Sequence, residues 1–246
     1  RPGRRVAIKV RRKGLGRESA IRRFEFEAQL LARLEHPGVA RLYEANGFEE
    51  RGRSVPYFAM EYVEDARTLT EYANGRQLDI PARLELFVEV CEAVAHGHAQ
   101  GIVHCDLKPE NVLMHSSGRV CVIDFGIGRA IDAERDHTTQ ATGFIGIQGT
   151  LPYMSPEQVR GDDLDARSDI FSLGTVLYHV MTGSLPYPGD SLPQVCLAIH
   201  DAPPSTTPSD VRAGFPPPLE EFLTRCLRGS PHDRYAPARD ARHDPP

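Results

Sequence analysis

A chain of 246 residues is long enough to bury a sizeable core as one large domain or two small lobes. Its 40% hydrophobic and 26% charged fractions are ordinary for a globular protein, and a net charge of -5 without a long basic run argues against a general nucleic-acid binder. Charge or glycine breaks every apolar stretch within about ten residues, which leaves no membrane segment in this chain.

Arg1-Pro2-Gly3-Arg4-Arg5 is basic but is followed by no apolar leader, so no signal peptide is expected. Val6 to Val10 is a short β-branched run and reads as a strand. Ser19 is a candidate cap for a helix in which Ile21, Phe24, Ala28, Leu31 and Leu34 recur at helical spacing, and His36-Pro37-Gly38 ends it. Two strands follow, Val39 to Glu44 and Tyr57 to Tyr62, around a polar turn near Gly52. Residues 1–62 thus read as a small lobe with few strands and one helix.

Beyond Val63 the pattern is mostly helical. Residues 82–100 carry Leu84, Phe87, Val88, Cys91, Val94 and Ala95 on one face and stop at Gly101. Residues 119–123 alternate as a strand. Residues 125–157 lack sustained periodicity and are rich in Thr, Gly and Gln, which predicts a long surface loop. An apolar helix is expected over 169–182, and two more near 191–201 and 219–228. The Pro/Ser/Thr-rich stretch 203–218 between these reads as a surface connection inside one domain. Five scattered cysteines with no CxxC pair read as reduced thiols of a cytoplasmic protein.

The chemistry is concentrated in His104-Cys105-Asp106-Leu107-Lys108-Pro109-Glu110-Asn111-Val112-Leu113, followed by Asp124-Phe125-Gly126. Together they supply a base, a cation and two metal-binding oxygens at a spacing suited to moving the γ-phosphoryl group of ATP to a hydroxyl. Asp106 is the candidate base. Lys108 can neutralise charge building on the transferring group. Asn111 and Asp124 are hard oxygen ligands that suit Mg²⁺ (or Mn²⁺), and Gly126 lets the backbone turn. A lone His-x-Asp would read as a capped turn; the joint pattern outweighs that reading. Of the 29 Lys and Arg residues only three are lysine, Lys9, Lys13 and Lys108. Two of these stand where phosphate chemistry wants a compact ammonium charge.

With these motifs in this order, the chain resembles the serine/threonine protein kinases over nearly its whole length. The run Tyr153-Met154-Ser155-Pro156-Glu157-Gln158 is similar to their bacterial branch. The resemblance implies an α+β, bilobal kinase-like fold: a truncated small antiparallel-sheet N-lobe over 1–62 and a larger, mainly helical C-lobe over 63–246. Hinge, catalytic loop and an activation loop at 124–157 would lie in the C-lobe, and both lobes would form one kinase domain. Lys9, in Val-Ala-Ile-Lys, would hold the α- and β-phosphates and pair with Glu27; Glu25 competes for that role, but the apolar stripe favours Glu27. Met60 would be the gatekeeper, the backbone of Glu61 and Val63 would read the adenine edge, and Ala7 and Leu113 would sandwich the ring with Ile123 close by.

The segment Gly149 to Glu157 resembles the one that cradles an acceptor hydroxyl, and Thr150 with Leu107-Lys108-Pro109 resembles the serine/threonine class. Glu157 would pair with Arg234, Asp169 would brace the catalytic loop, and His104, Phe125, Leu31 and Leu42 would stack between the lobes. The implied activity uses ATP and Mg²⁺, acts on Ser and Thr hydroxyls of proteins in signal transduction, and includes autophosphorylation, with Thr138, Thr139 and Thr142 as candidate phosphosites. A small-molecule phosphotransferase is disfavoured, because residues 149–157 suit a polypeptide acceptor.

Two departures qualify the resemblance. Only five residues precede Val6, so the family's first two strands and glycine-rich loop do not fit. The expectation is a fragment of a longer protein, which can be membrane-anchored outside this segment; the alternative is a weak or inactive pseudokinase scaffold. Cys105 stands where most such kinases carry arginine, which pairs with a phosphorylated activation loop. Loop phosphorylation is therefore expected not to be a strict switch: a rise of more than about tenfold on phosphorylation would contradict this.

Overall fold

The computed structural model describes residues 3–10, 18–50, 53–125, 150–201, 203–204 and 206–236, without the side chains of 18–23, 27, 53 and 54. Its smaller part is a three-stranded antiparallel sheet with one helix. β1 (Val6–Val10) alternates because the two-residue period of a strand turns Val6, Ile8 and Val10 outward and Ala7 and Lys9 to the other face. β2 (Leu42–Glu50) and β3 (Arg53–Glu61) form a hairpin, and β1 lies on the far side of β3, giving the order β1-β3-β2. α1 (Glu18–Leu31) stacks Phe24 on Phe58 with ring centroids 4.5 Å apart, and Ala28, Leu31, Leu42 and Met60 close around them.

Two boundaries depart from the sequence reading. The helix begins at Glu18, so Ser19 lies inside it and does not cap it. The strand expected from Val39 begins at Leu42, because the backbone before it is drawn into the larger part. Ala40 N–H donates to Val122 O (2.9 Å) and Val122 N–H to Gly38 O (2.8 Å). β2 instead runs on through exposed Glu49 and Glu50, where polarity resembled a turn.

The larger part holds a second antiparallel sheet, β4 (Arg67–Thr68), β5 (Val112–Met114) and β6 (Val120–Val122), in that order. Thr68 and Glu71 form a reciprocal capping box for α2 (Leu69–Gly75). Asp79 caps α3 (Ile80–Ala99), with Pro81 in the first turn, where its missing N–H costs nothing. Ser155 and Gln158 form another capping box on α4 (Pro156–Arg160). A 3₁₀ turn at Leu151–Tyr153 precedes it, so the described end of the expected 125–157 loop is ordered structure.

α5 (Ala166–Thr182) is buried continuously from Ser168 to Tyr178 and forms the centre of the core. A helix apolar all round belongs in an interior. α6 (Leu192–His200), α7 (Pro208–Val211) and α8 (Pro217–Cys226) surround it. α7 occupies part of the 203–218 stretch, started by a Thr207–Asp210 capping box. A Cβ on Gly174 would meet the Cys226 Cβ at 2.7 Å, so only glycine permits this approach of α5 to α8. The cysteines are unbridged, and no helix among the described residues is long and apolar enough to cross a membrane.

Candidate active site

The site is built on the loop between α3 and β5, and a buried carboxylate shapes that loop. Asp169, in the first turn of α5, is fully buried. Its Oδ2 accepts from His104 N–H (2.7 Å) and from His98 Nε2 (2.8 Å), and its Oδ1 accepts from Cys105 N–H (2.8 Å). A buried carboxylate requires such donors. They hold Cys105 at φ +62°, the left-handed region that costs a side-chain-bearing residue about 1–3 kcal/mol.

His104 completes the loop. Its Nδ1 accepts from Asp106 N–H (3.2 Å), so its Nε2 carries the hydrogen and donates to Ile123 O (2.9 Å). Burial pushes the imidazole below its ordinary pKa, against the pull of Asp169, Asp106 and Asp124, and this favours the neutral form the two bonds need. Its ring packs on Phe125 at 4.6 Å. Phe125 lies against α3, where a Cβ on Gly97 would meet its Cε1 at 2.5 Å.

On this scaffold the predicted polar residues converge. Lys108 Nζ lies 3.3 Å from Asp106 Oδ1 and 3.2 Å from its Oδ2, and donates to Thr150 Oγ1 at 2.6 Å. Asn111 Nδ2 donates to Asp106 Oδ2 (2.9 Å) and to Asp106 O (2.7 Å). Ile123 N–H donates to Asn111 O (2.9 Å), which brings the next residue, Asp124, beside Asn111. Asp124 adopts φ +62°, and its Oδ2 lies 2.8 Å from Lys9 Nζ. Two contact sets result, Asp106 with Lys108 and Asn111, and Asp124 with Lys9 of β1, and the backbone bond from Ile123 N–H to Asn111 O sets them side by side. With Asn111 Nδ2 committed to Asp106, its Oδ1 is the atom it offers a cation. Asp124 offers a carboxylate, and two oxygen ligands suit Mg²⁺, which keeps waters and takes phosphate oxygens.

Ala7 and Met60 are register partners, as are Val6 and Glu61. Met60 lines a small cavity with Leu31, Leu42, Val122, Asp124 and Phe125. Ala7, Leu113 and Ile123 are half-buried and Val63 is buried. Glu61 N–H donates to Arg41 O (2.8 Å), and its side chain pairs with Arg119. Glu27 lies in α1 but its side chain is outside the described set, as are Gly126, Thr138, Thr139, Thr142 and Gly149. Leu31 and Leu42 line the same small cavity as Phe125, whose ring packs on His104.

Glu157 and Arg234 form a buried bidentate pair at 2.7 and 2.8 Å, and Ser168 Oγ donates to Glu157 Oε1. Burial alone would raise the Glu157 carboxyl; the Arg234 and Ser168 bonds outweigh it and hold it below its usual range. Two residues were missed from sequence. His98 braces Asp169, and no sequence signal links positions so far apart. Gln158 Nε2 donates to Cys105 O at 2.7 Å, and the Ser-x-x-Gln capping spacing was its available signal.

Comparison with known proteins finds relatives over nearly the whole chain. A protein kinase domain model matches residues 1–245. Serine/threonine-protein kinase PknB of Mycobacterium tuberculosis H37Ra is 39% identical over 241 residues, covering 97% of this chain. PknB of Mycolicibacterium smegmatis is 38% identical over 241 residues, with the same coverage. A probable serine/threonine-protein kinase of Streptomyces coelicolor is 37% identical over 246 residues, 99% of this chain. The chain spans 38% of the length of both PknB relatives and 36% of the Streptomyces protein.

Proposed function

The chain belongs to the protein kinase family, and we propose that it transfers the γ-phosphoryl group of ATP to serine and threonine hydroxyls of proteins. The observation that carries this reading is the pair of contact sets, Asp106 with Lys108 and Asn111 and Asp124 with Lys9, set side by side by the Ile123 N–H to Asn111 O bond. Asp106 accepts the proton of the acceptor hydroxyl and orients its oxygen. Lys108, held between Asp106 and Thr150, sets a positive charge beside the transferring group, and Thr150 carries the acceptor-binding segment to the same point. Lys9 holds the α- and β-phosphates, with Glu27 as its helix partner. Asn111 Oδ1 and the Asp124 carboxylate hold Mg²⁺ (or Mn²⁺), which when bound neutralises charge on the phosphate oxygens.

Adenine binds between Ala7 and Leu113, near Ile123, behind which Met60 limits depth. The backbone of Glu61 and Val63 reads the adenine edge. Residues 1–62 and 63–246 act as the two lobes of one catalytic unit, with Thr138, Thr139 and Thr142 as autophosphorylation sites. The unbridged cysteines support work in a reducing cytoplasm, and the acidic balance supports protein rather than nucleic-acid partners. The intact contact sets favour turnover over a partner-binding scaffold.

The test is phosphoamino-acid analysis after transfer from γ-labelled ATP to the chain itself and to a generic basic protein. Label is expected on serine and threonine; label confined to tyrosine, or none on protein, would overturn the reading.

A further inference from the structure

We infer that Gln158 is a positioning residue for Asp106, acting through the peptide group between Cys105 and Asp106. This rests on the proposed kinase reading for its catalytic consequence, but not for its geometry. The two sides of that peptide are held independently. Its N–H, on Asp106, donates to His104 Nδ1 (3.2 Å), and its carbonyl, on Cys105, accepts from Gln158 Nε2 (2.7 Å). A peptide is planar, so fixing both its oxygen and its hydrogen fixes the plane. That plane sets the direction in which the Asp106 side chain leaves the loop. The constraint matters here because Cys105 sits at φ +62°, an arrangement that other residues must hold in place.

Asp169 holds the preceding two amides. Gln158 holds the carbonyl, and it comes from a different element. The same side chain spans two structures. Gln158 Oε1 accepts from Ser155 N–H (2.9 Å), closing the capping box that starts α4, while its Nε2 reaches the catalytic loop. α4 follows directly on Thr150 to Tyr153, whose Thr150 bonds Lys108. The acceptor-side segment therefore grips the catalytic loop twice, by Thr150 on Lys108 and by Gln158 on Cys105. The Gln158 hold is made by uncharged amide chemistry and uses no arginine at position 105.

Glutamine is specific for this task because it offers one acceptor and one donor at the same reach. Gln158→Glu separates the two functions. Glutamate is a favoured capping-box residue, so the Ser155 N–H keeps its acceptor. The donor to Cys105 O is lost, and a carboxylate oxygen faces a carbonyl oxygen.

The experiment compares the parent chain, Gln158→Glu and Gln158→Met by steady-state kinetics, thermal unfolding and amide hydrogen exchange. For Gln158→Glu, kcat is expected to fall about tenfold, the worth of one hydrogen bond placed on a reacting group. KM for ATP should stay within about twofold and Tm within about 3 °C, while the Cys105 and Asp106 amides exchange at least about fivefold faster. Gln158→Met, which loses both bonds, should show the same kcat loss together with a lower Tm.

Parental kcat in Gln158→Glu with a fall only in Gln158→Met would mean that the cap alone matters, and would overturn the inference. So would a kcat loss that merely tracks a large fall in Tm. If the parent itself transfers no phosphate, the kinase reading fails and exchange alone decides the brace. Faster exchange at Cys105 and Asp106 supports it, and unchanged exchange overturns it.

Discussion

The bridge between Glu157 and Arg234 yields a quantitative prediction about how α4 is held on α5. The Arg234 side chain is fully buried and that of Glu157 nearly so. Arg234 uses both Nη atoms on the carboxylate and also donates to the carbonyls of Arg228 (2.7 Å), Arg167 (2.9 Å) and Gly229 (3.0 Å). These bonds tie α4 to the start of α5 and to the turn after α8. Arg234→Met removes the cation and strands the Glu157 carboxylate in the interior with Ser168 as its remaining side-chain donor. Breaking one half of such a pair costs about 3–5 kcal/mol.

A chain of this length loses about 2–4 °C of Tm per kcal/mol, so the melting temperature should fall by roughly 6–20 °C. Thermal unfolding followed by far-UV circular dichroism at pH 7.5 reads this directly. Replacing both partners by apolar residues of similar volume should recover part of the loss, because no charge is then buried alone. A single variant that melts within about 2 °C of the parent would refute the argument, since it would mean that solvent reaches the pair.

Two further outcomes follow from the same geometry. Gly97→Ala should force Phe125 out of its seat against α3, since the new Cβ would come within 2.5 Å of its ring; kcat and Tm should both drop, and an unchanged kcat would show that Phe125 does not position Asp124. His104 is held below its ordinary value of 6.5. As pH falls, the unfolded chain therefore takes up this proton first, and the stability from the neutral imidazole is intact above pH 6.5 and lost as pH falls through the buried value. The stability advantage of the parent over His104→Gln should thus shrink on acidification from pH 8 to pH 5, measured by urea unfolding. An advantage that widens instead would contradict the assignment.

Much of this was legible in the sequence because the chemistry sits in contiguous runs. Residues 104–113 and 124–126 announced the chemistry by residue type, spacing and family resemblance, and the contacts found at the site use Asp106, Lys108, Asn111 and Asp124 from those runs. The long helices were equally readable, since α3 and α5 carry sustained apolar faces. What escaped depends on distant partners. The start of β2 was misplaced because Val39 and Ala40 are claimed by β6, some eighty residues away in the chain, a pull that no local pattern encodes. Short helices inside Pro-rich or Thr-rich stretches were read as loop, although Ser155–Gln158 and Thr207–Asp210 carry capping-box spacing. The positive φ at Cys105 is held by tertiary hydrogen bonds to Asp169 and Gln158 and leaves no trace in residue type. His98 and Gln158 act on backbone atoms and on a buried carboxylate, which local motif spacing did not reveal.

The central claim is that the contact sets of Asp106 and Asp124 perform phosphoryl transfer. Its most direct test is transfer of label from γ-labelled ATP with Mg²⁺ by the parent chain, beside Asp106→Asn and Asp124→Ala checked to be folded. The account predicts incorporation by the parent and a fall of at least about hundredfold in each variant. Incorporation at the parental rate in either variant, or none by the folded parent, would contradict it.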